Sequence, residues 1–303
     1  MKHRIISIAI LIILLTFSRS YASSAPGIGL YMFSGETHIT HSASDPLLLY
    51  VIIDNSMAMF IERQNRRSED ILQKYKETDH YADLSKIDQA EVTKQYQAKK
   101  LPNITLGSSK VSLESLIGFV AKDQQGNILD IKVRALQSND HQPRAISLLQ
   151  ERSLLYRFVI ESDQFEKFQS DIFYLVANVD TGTNVDMWQG QVDSSAATVK
   201  LGQPETAWEG STRRLLLIGT YLLSDNKFSQ AELHAMEWLQ KHPNSVDGWA
   251  QLAEAYYGQG LFDEALEAFD TAVDRFREKH GSNPQELPME LIDRIREIQG
   301  SRS

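Results

Sequence analysis

From Gly27 to about Leu201 the apolar positions fall in short runs, often β-branched or aromatic and often alternating with polar ones, with turn residues between them. Runs of this length and period predict strands. They are Gly29 to Phe33, Leu47 to Ile53, Met57 to Ile61, Val111 to Val120, Ile128 to Leu136, Leu154 to Ile160, Ile172 to Val179, Met187 to Val192 and Thr198 to Leu201. Strands without long helices between them predict an antiparallel sandwich. Asp123-Gln124-Gln125-Gly126-Asn127 separates two of the runs and supplies the glycine that a hairpin turn needs at positive φ. One stretch breaks the rhythm. Glu62 to Lys100 is polar, charged and rich in helix formers, with Ile71 and Tyr75 one helical turn apart. It predicts an inserted helix or two resting lightly on the sandwich, either a solvated excursion or a lid or arm that orders on docking a partner.

After a linker from Gly202 to Gly210 that holds Pro204, the apolar period becomes helical. In Asp247 to Arg275, the positions Trp249, Leu252, Ala253, Tyr256, Ala265, Phe269 and Ala272 suit two antiparallel helices, small residues allowing close approach and large ones filling the groove. One repeat length earlier stand Leu215, Ile218, Gly219, Leu222, Ala231, Ala235, Trp238 and Pro243. Both sets resemble the tetratricopeptide repeat. Arg277 stands where that pattern usually has proline, so the last repeat helix is expected to run on toward Lys279. Beyond Gly281 and Pro284, Leu291, Ile295 and Ile298 share a face and predict a capping helix.

Tyr174 to Val179 followed by Trp188 to Val192 resembles the late hairpin of an immunoglobulin-like domain, by pattern alone and without the cysteine pair. The expected fold class is multidomain α and β. An immunoglobulin-like sandwich spans 23–201 with its helical insertion at 62–100, a linker covers 202–210, two tetratricopeptide repeats occupy 211–280, and a capping helix and tail fill 281–303.

In tetratricopeptide proteins the first helix of each repeat lines the groove that holds a partner's peptide or helix. Carried over by position, the resemblance implies Arg213, Leu216, Thr220 and Leu223 from the first repeat, and Asp247, Ala250, Glu254 and Tyr257 from the second. The leucines have an alternative role as interface core. Arg213 to Leu223 is apolar nearly all round, so its outer face is expected to pack on the sandwich or on a second copy of the chain. Asp247, Glu254 and Tyr257 set a polar pair beside an aromatic, which suits recognition; a solvated face is the plain alternative.

The address comes from the start of the chain. Lys2, His3 and Arg4 precede the apolar run Ile5 to Phe17, and small residues flank the end at Ala22. That order predicts a secretory signal cleaved after Ala22, with an uncleaved anchor as the alternative. The run is shorter than the roughly 20 residues a bilayer span needs, and no second long apolar run follows. There is no cysteine, which excludes a lipoprotein anchor, a disulfide framework and thiolate chemistry. A bacterial periplasmic or secreted protein is expected. Net charge is −9, and removal of Lys2, Arg4 and Arg19 with the signal leaves 28 basic and 40 acidic residues, −12. Such a surface repels nucleic acid and anionic lipid.

Candidate chemistry is sparse. Asp54-Asn55-Ser56-Met57-Ala58 resembles the metal-adhesion motif of von Willebrand A domains, but Ala58 replaces its second hydroxyl, and the strand-end reading is preferred. Asp180 to Asp186 alternates oxygen ligands like a calcium loop without the closing bidentate acid, and reads as a hairpin loop. Glu36, His38 and His41 could gather a metal, yet His38 and His41 point to opposite faces of a strand. No nucleophile elbow, zinc-protease helix, phosphate loop or dinucleotide fingerprint occurs. No catalytic residue, cofactor or metal is expected. The expected function is an exported, non-enzymatic adaptor or assembly protein with a protein partner in the envelope. The alternative is a carbohydrate- or cell-wall-binding sandwich using Trp188, Tyr174 or Trp208, and a third reading is a degenerate enzyme with the insertion as lid.

Overall fold

Alternation along the first two hundred residues builds two sheets around one core. The computed structural model describes residues 28–34, 40–136, 144–151, 153–168, 171–182, 188–202, 211–280 and 289–301. Among them the strands are β1 (Gly29–Ser34), β2 (Thr40–Ser42), β3 (Leu47–Asp54), β4 (Thr105–Leu106), β5 (Ile117–Asp123), β6 (Ile128–Leu129), β7 (Val133–Ala135), β8 (Ile146–Ser147), β9 (Ser153–Ile160), β10 (Ile172–Asp180), β11 (Gln191–Asp193) and β12 (Ala197–Gly202). One sheet runs β1-β3-β9-β7 and the other β2-β12-β10-β5-β6, with β11 also on β10; β4 and β8 pair separately. Leu47, Leu49, Val51 and Ile53 of β3 face Phe173, Leu175, Ala177 and Val179 of β10 within a single buried cluster. The intervening residues of each strand point outward, as a period of two requires.

The hairpin expected around Asp123 to Asn127 forms, pairing Ala121 with Leu129 and Lys122 with Ile128, and Gly126 takes φ +87°. Several expectations are corrected. The pairing is not wholly antiparallel, because β2 lies parallel to β12. The run Ile128 to Leu136 is divided between the two sheets, β6 in one and β7 in the other. Val111 to Val120 becomes strand only from Ile117, after a 3-10 turn at Glu114–Leu116. Met57 to Ile61 is not a strand but the first turns of helix α1 (Ser56–Lys76). The reason is local: Asn55 Oδ1 accepts from Ala58 N at 2.8 Å while its Nδ2 donates to Pro102 O at 2.9 Å, so strand β3 ends in a helix cap.

Helix α1, a helical turn at Asp79–Ala82 and α2 (Lys86–Gln95) make up the insertion. Of these elements' described residues, Ala58 alone is buried. The returning chain is tied to α1 by Asn65, which donates to Lys99 O and accepts from Lys99 N, both at 2.8 Å.

The last hundred residues are helical: α3 (Thr212–Ser224), α4 (Phe228–Lys241), α5 (Val246–Gln259), α6 (Phe262–His280) and α7 (Met289–Ser301). Each of α3, α4 and α5 packs on the next, and α3 also touches α5. Ala235, Ala253, Ala265 and Ala272 are fully buried, and Trp238 and Phe269 almost so, which is how small residues admit large ones between close helices. As expected from Arg277, α6 continues past Lys279.

The apolar helix α3 packs on the sheets. Its Leu217 and Tyr221 join Leu48 and Tyr50 of β3, Val159 and Leu155 of β9, and Leu136 in a second cluster on the outer face of the first sheet. Arg214 crosses the junction to Asp45, donating from Nε to Oδ2 and from Nη2 to Oδ1, both at 2.8 Å, and the Asp45 side chain is 3% exposed. At the other end of α3, Arg134 donates to Asp225 and Glu161, Tyr221 donates to Glu161, and Lys227 binds Asp225 and Tyr221.

Candidate functional site

The eight groove candidates occupy one helical face apiece on two adjacent helices. Residues 213, 216, 220 and 223 recur every three or four positions along α3, as do 247, 250, 254 and 257 along α5, so each set forms a stripe. All eight side chains are half-buried. The two helices are stitched by Gln251, whose Nε2 donates to Leu216 O at 3.1 Å and whose side chain lies against Gly219. A Cβ on Gly219 would overlap the Gln251 amide, which is why the approach needs glycine.

The stripe is unequal along its length. Arg213 has a buried Nε, and Leu216, Thr220 and Leu223 form a mostly apolar half on α3. On α5, Glu254 and Tyr257 are engaged by α7. Arg294 donates from Nε to Glu254 Oε1 at 3.0 Å and from Nη2 to Oε2 at 2.6 Å, and its guanidinium lies 4.1 Å from the Tyr257 ring centre. Burial pulls the Arg294 pKa down, but Glu254 and Glu297 beside it raise it further, so it stays charged. Ile298 of α7 is fully buried in the helical core. Asp247 sits in the first turn of α5, where burial pushes its carboxyl above the ordinary range against the opposing pull of Lys279 from the end of α6.

The Arg294 clamp was not foreseen from sequence. Its signal was present, an arginine beside the apolar stripe of the capping helix, but no local pattern names a partner 40 residues away. The arrangement offers an apolar half, a helix-borne carboxylate at one end and a carboxylate already matched by a guanidinium.

The remaining candidates are placed as follows. Asp54 is buried at the end of β3, and Asn55 serves as a helix cap rather than as a ligand. Asp180 Oδ1 accepts from Gly182 N at 2.8 Å, a local turn bond; Thr183 to Asp186 lie outside the described residues. His41 is 1% exposed and bonds Asp45 O through Nε2, while Glu36, His38 and Trp208 lie outside the described residues, as does the stretch 1–22 expected to be a signal. Trp188 packs partly buried against the sheet core, whereas Tyr174 is 38% exposed on the outer face of the second sheet. Among the described residues there is no group of three or more metal-ligating side chains and no helix long and apolar enough to cross a membrane.

Comparison with family models, curated proteins and solved structures finds no match for this chain.

Proposed function

We propose that this chain is an exported, non-enzymatic docking protein of the cell envelope, which binds a protein partner along the stripe shared by α3 and α5. The observation that carries the reading is the anchoring of that stripe. Its first helix is joined to a sheet by Leu217, Tyr221 and the Arg214–Asp45 pair, and its second is held by Arg294 from α7. A stripe fixed at both sides is preorganised, so a partner pays little ordering cost on binding.

The finer fold reading belongs to the same proposal: an immunoglobulin-like sandwich carrying two tetratricopeptide-type helix pairs. It is supported by helix spacing, since α3 and α5 begin at Thr212 and Val246 and α4 and α6 at Phe228 and Phe262, one tetratricopeptide length apart in both cases. A photo-reactive benzophenone side chain at Thr220 or Ala250 is expected to give a discrete protein adduct in cells. The same group at Leu233, which is 63% exposed on α4, should give none. Adducts from Leu233 alone, or from no position, would refute the docking stripe.

A further inference from the structure

The two sheets differ on their outer faces. The first is covered by α3. The second presents a shallow cleft of about 490 Å³ across β5, β10 and β11, within the range typical of ligand sites. Strand register lays it out in rows. Tyr174 lies beside Lys122, Val176 beside Val120, and Asn178 between Gly118 and Asp193. The floor is therefore two valines, with the Tyr174 ring standing at one end and the amide and carboxylate of Asn178 and Asp193 at the other. The Asn178 side chain lies over Gly118, where a Cβ would press on it. Lys122 and Asp193 are exposed and stand four residues apart along β10, roughly 13 Å, too far to neutralise each other.

We propose that this cleft is a saccharide-binding site. A pyranose ring has one C–H face that stacks on an aromatic plane and an equatorial rim of hydroxyls that both donate and accept. The cleft supplies the matching parts in order: a half-exposed tyrosine ring, an apolar floor, then an amide and a carboxylate at hydrogen-bonding reach of the rim. The lining carries one cation, Lys122, and two carboxylates, Asp193 and Asp123. Asp123 already accepts from Gln125 N, Asn127 N and Asn127 Nδ2 in its own turn. The net charge is small, which suits an uncharged sugar chain better than an anionic ligand. Its length along β10 exceeds one ring, so the ligand is an oligosaccharide rather than a monosaccharide. A flat protein interface fits less well, since it would bury on the order of 800 Å² per partner around an apolar centre, and here the centre is two valines flanked by charges.

The test uses the mature chain, residues 23–303, titrated with the β-1,4-linked tetramers of N-acetylglucosamine and of glucose and followed by calorimetry and by amide shifts of β5 and β10. Saturable binding of at least one tetramer is expected, weakened about tenfold or more by Tyr174→Ala and by Asp193→Ala, about 1.4 kcal/mol. It should be largely kept by Tyr174→Phe and unchanged by Leu233→Ala. The two tetramers separate recognition of an acetamido group from recognition of the bare ring. No binding of either at millimolar concentration overturns the proposal, as does binding that ignores both alanine substitutions. A chain that dimerises, and that Tyr174→Arg returns to monomer, would assign the face to a second copy and equally overturn it. The site lies on the sheet opposite α3, so its failure leaves the docking stripe untouched, and loss of the stripe leaves the cleft.

Discussion

Asp45→Ala tests whether sheets and helices stand as one unit. The Asp45 carboxylate is 3% exposed and takes two hydrogen bonds from Arg214, which itself keeps 26% of its side chain in solvent. Removing one member of a fully buried pair costs about 3–5 kcal/mol, chiefly because the surviving charge is stranded. The partial exposure of Arg214 lets water meet one edge of the guanidinium, so the expected loss is about 2–4 kcal/mol. The turn keeps its backbone bonds, His41 Nε2 to Asp45 O and Asp45 N to Ser42 O. Urea unfolding followed by circular dichroism gives the loss, and hydrogen exchange over 212–224 shows whether α3 lifts from the sheet. Adding Arg214→Met removes the guanidinium that faced Asp45 while keeping an apolar stem, and should regain part of the loss. A cost under about 0.5 kcal/mol would place the pair with surface ion pairs and refute the reasoning. So would a loss that the second substitution does not relieve.

Further predictions follow from other contacts. Leu217→Ala opens a cavity in the cluster between α3 and the sheet and should cost about 2–4 kcal/mol by the same denaturation assay. Gly219→Ala alone is expected to destabilise by displacing Gln251 from Leu216 O. In a Gln251→Ala background it should become neutral or stabilising, because the overlap is gone and alanine favours helix by up to about 1 kcal/mol. Asp247 has a folded pKa raised by burial, so its contribution is favourable below about pH 4, where both states are protonated, and is lost as pH rises through the folded value. Asp247→Asn should therefore raise the melting temperature at pH 7 and leave it unchanged at pH 3. Asp225 has the opposite sign: burial raises its pKa, but hydrogen bonds from Arg134 and Lys227 outweigh this and lower it. Asp225→Asn should cost about 1 kcal/mol at pH 7, discounted for the exposed Arg134, and progressively less as pH falls through the lowered folded value.

Strands β3, β9 and β10 were legible because each is a long run rich in apolar residues that lies in the middle of a sheet, so local pattern and tertiary burial agree. The helix pairs were legible for the same reason at the helical period: Ala253, Ala265 and Ala272 stand where two close helices require small residues, and all three are buried. Met57 to Ile61 was misread because five apolar residues without polar interruption carry no period of their own. Asn55 followed by Ser56 was the overlooked signal, an N-cap placed directly after a strand. Strand β2, the division of Ile128 to Leu136 and the Arg214–Asp45 pair were illegible for a different reason. Each depends on a partner far along the chain, 169 residues away for Arg214, and no local propensity encodes that distance.

Two stacked helix pairs leave an apolar face bare at each end, and a short stack needs both ends covered. The chain solves the two ends with unequal physics. At the first, α3 lies on a sheet through leucines, a tyrosine and a buried bidentate ion pair, so opening it exposes core and strands a charge. At the second, α7 packs Ile298 and Ile295 into the helical core and sets Arg294 on Glu254 and Tyr257. Leu216 and Thr220 lie on the α3 half of the stripe, whereas Glu254 and Tyr257 would be offered to a partner in competition with Arg294. A partner that carries its own guanidinium for Glu254 displaces α7 and binds more tightly to Arg294→Ala, while one that reads the α3 half is indifferent to that change. Comparing the two affinities thus assigns the partner's footprint to one end of the stripe.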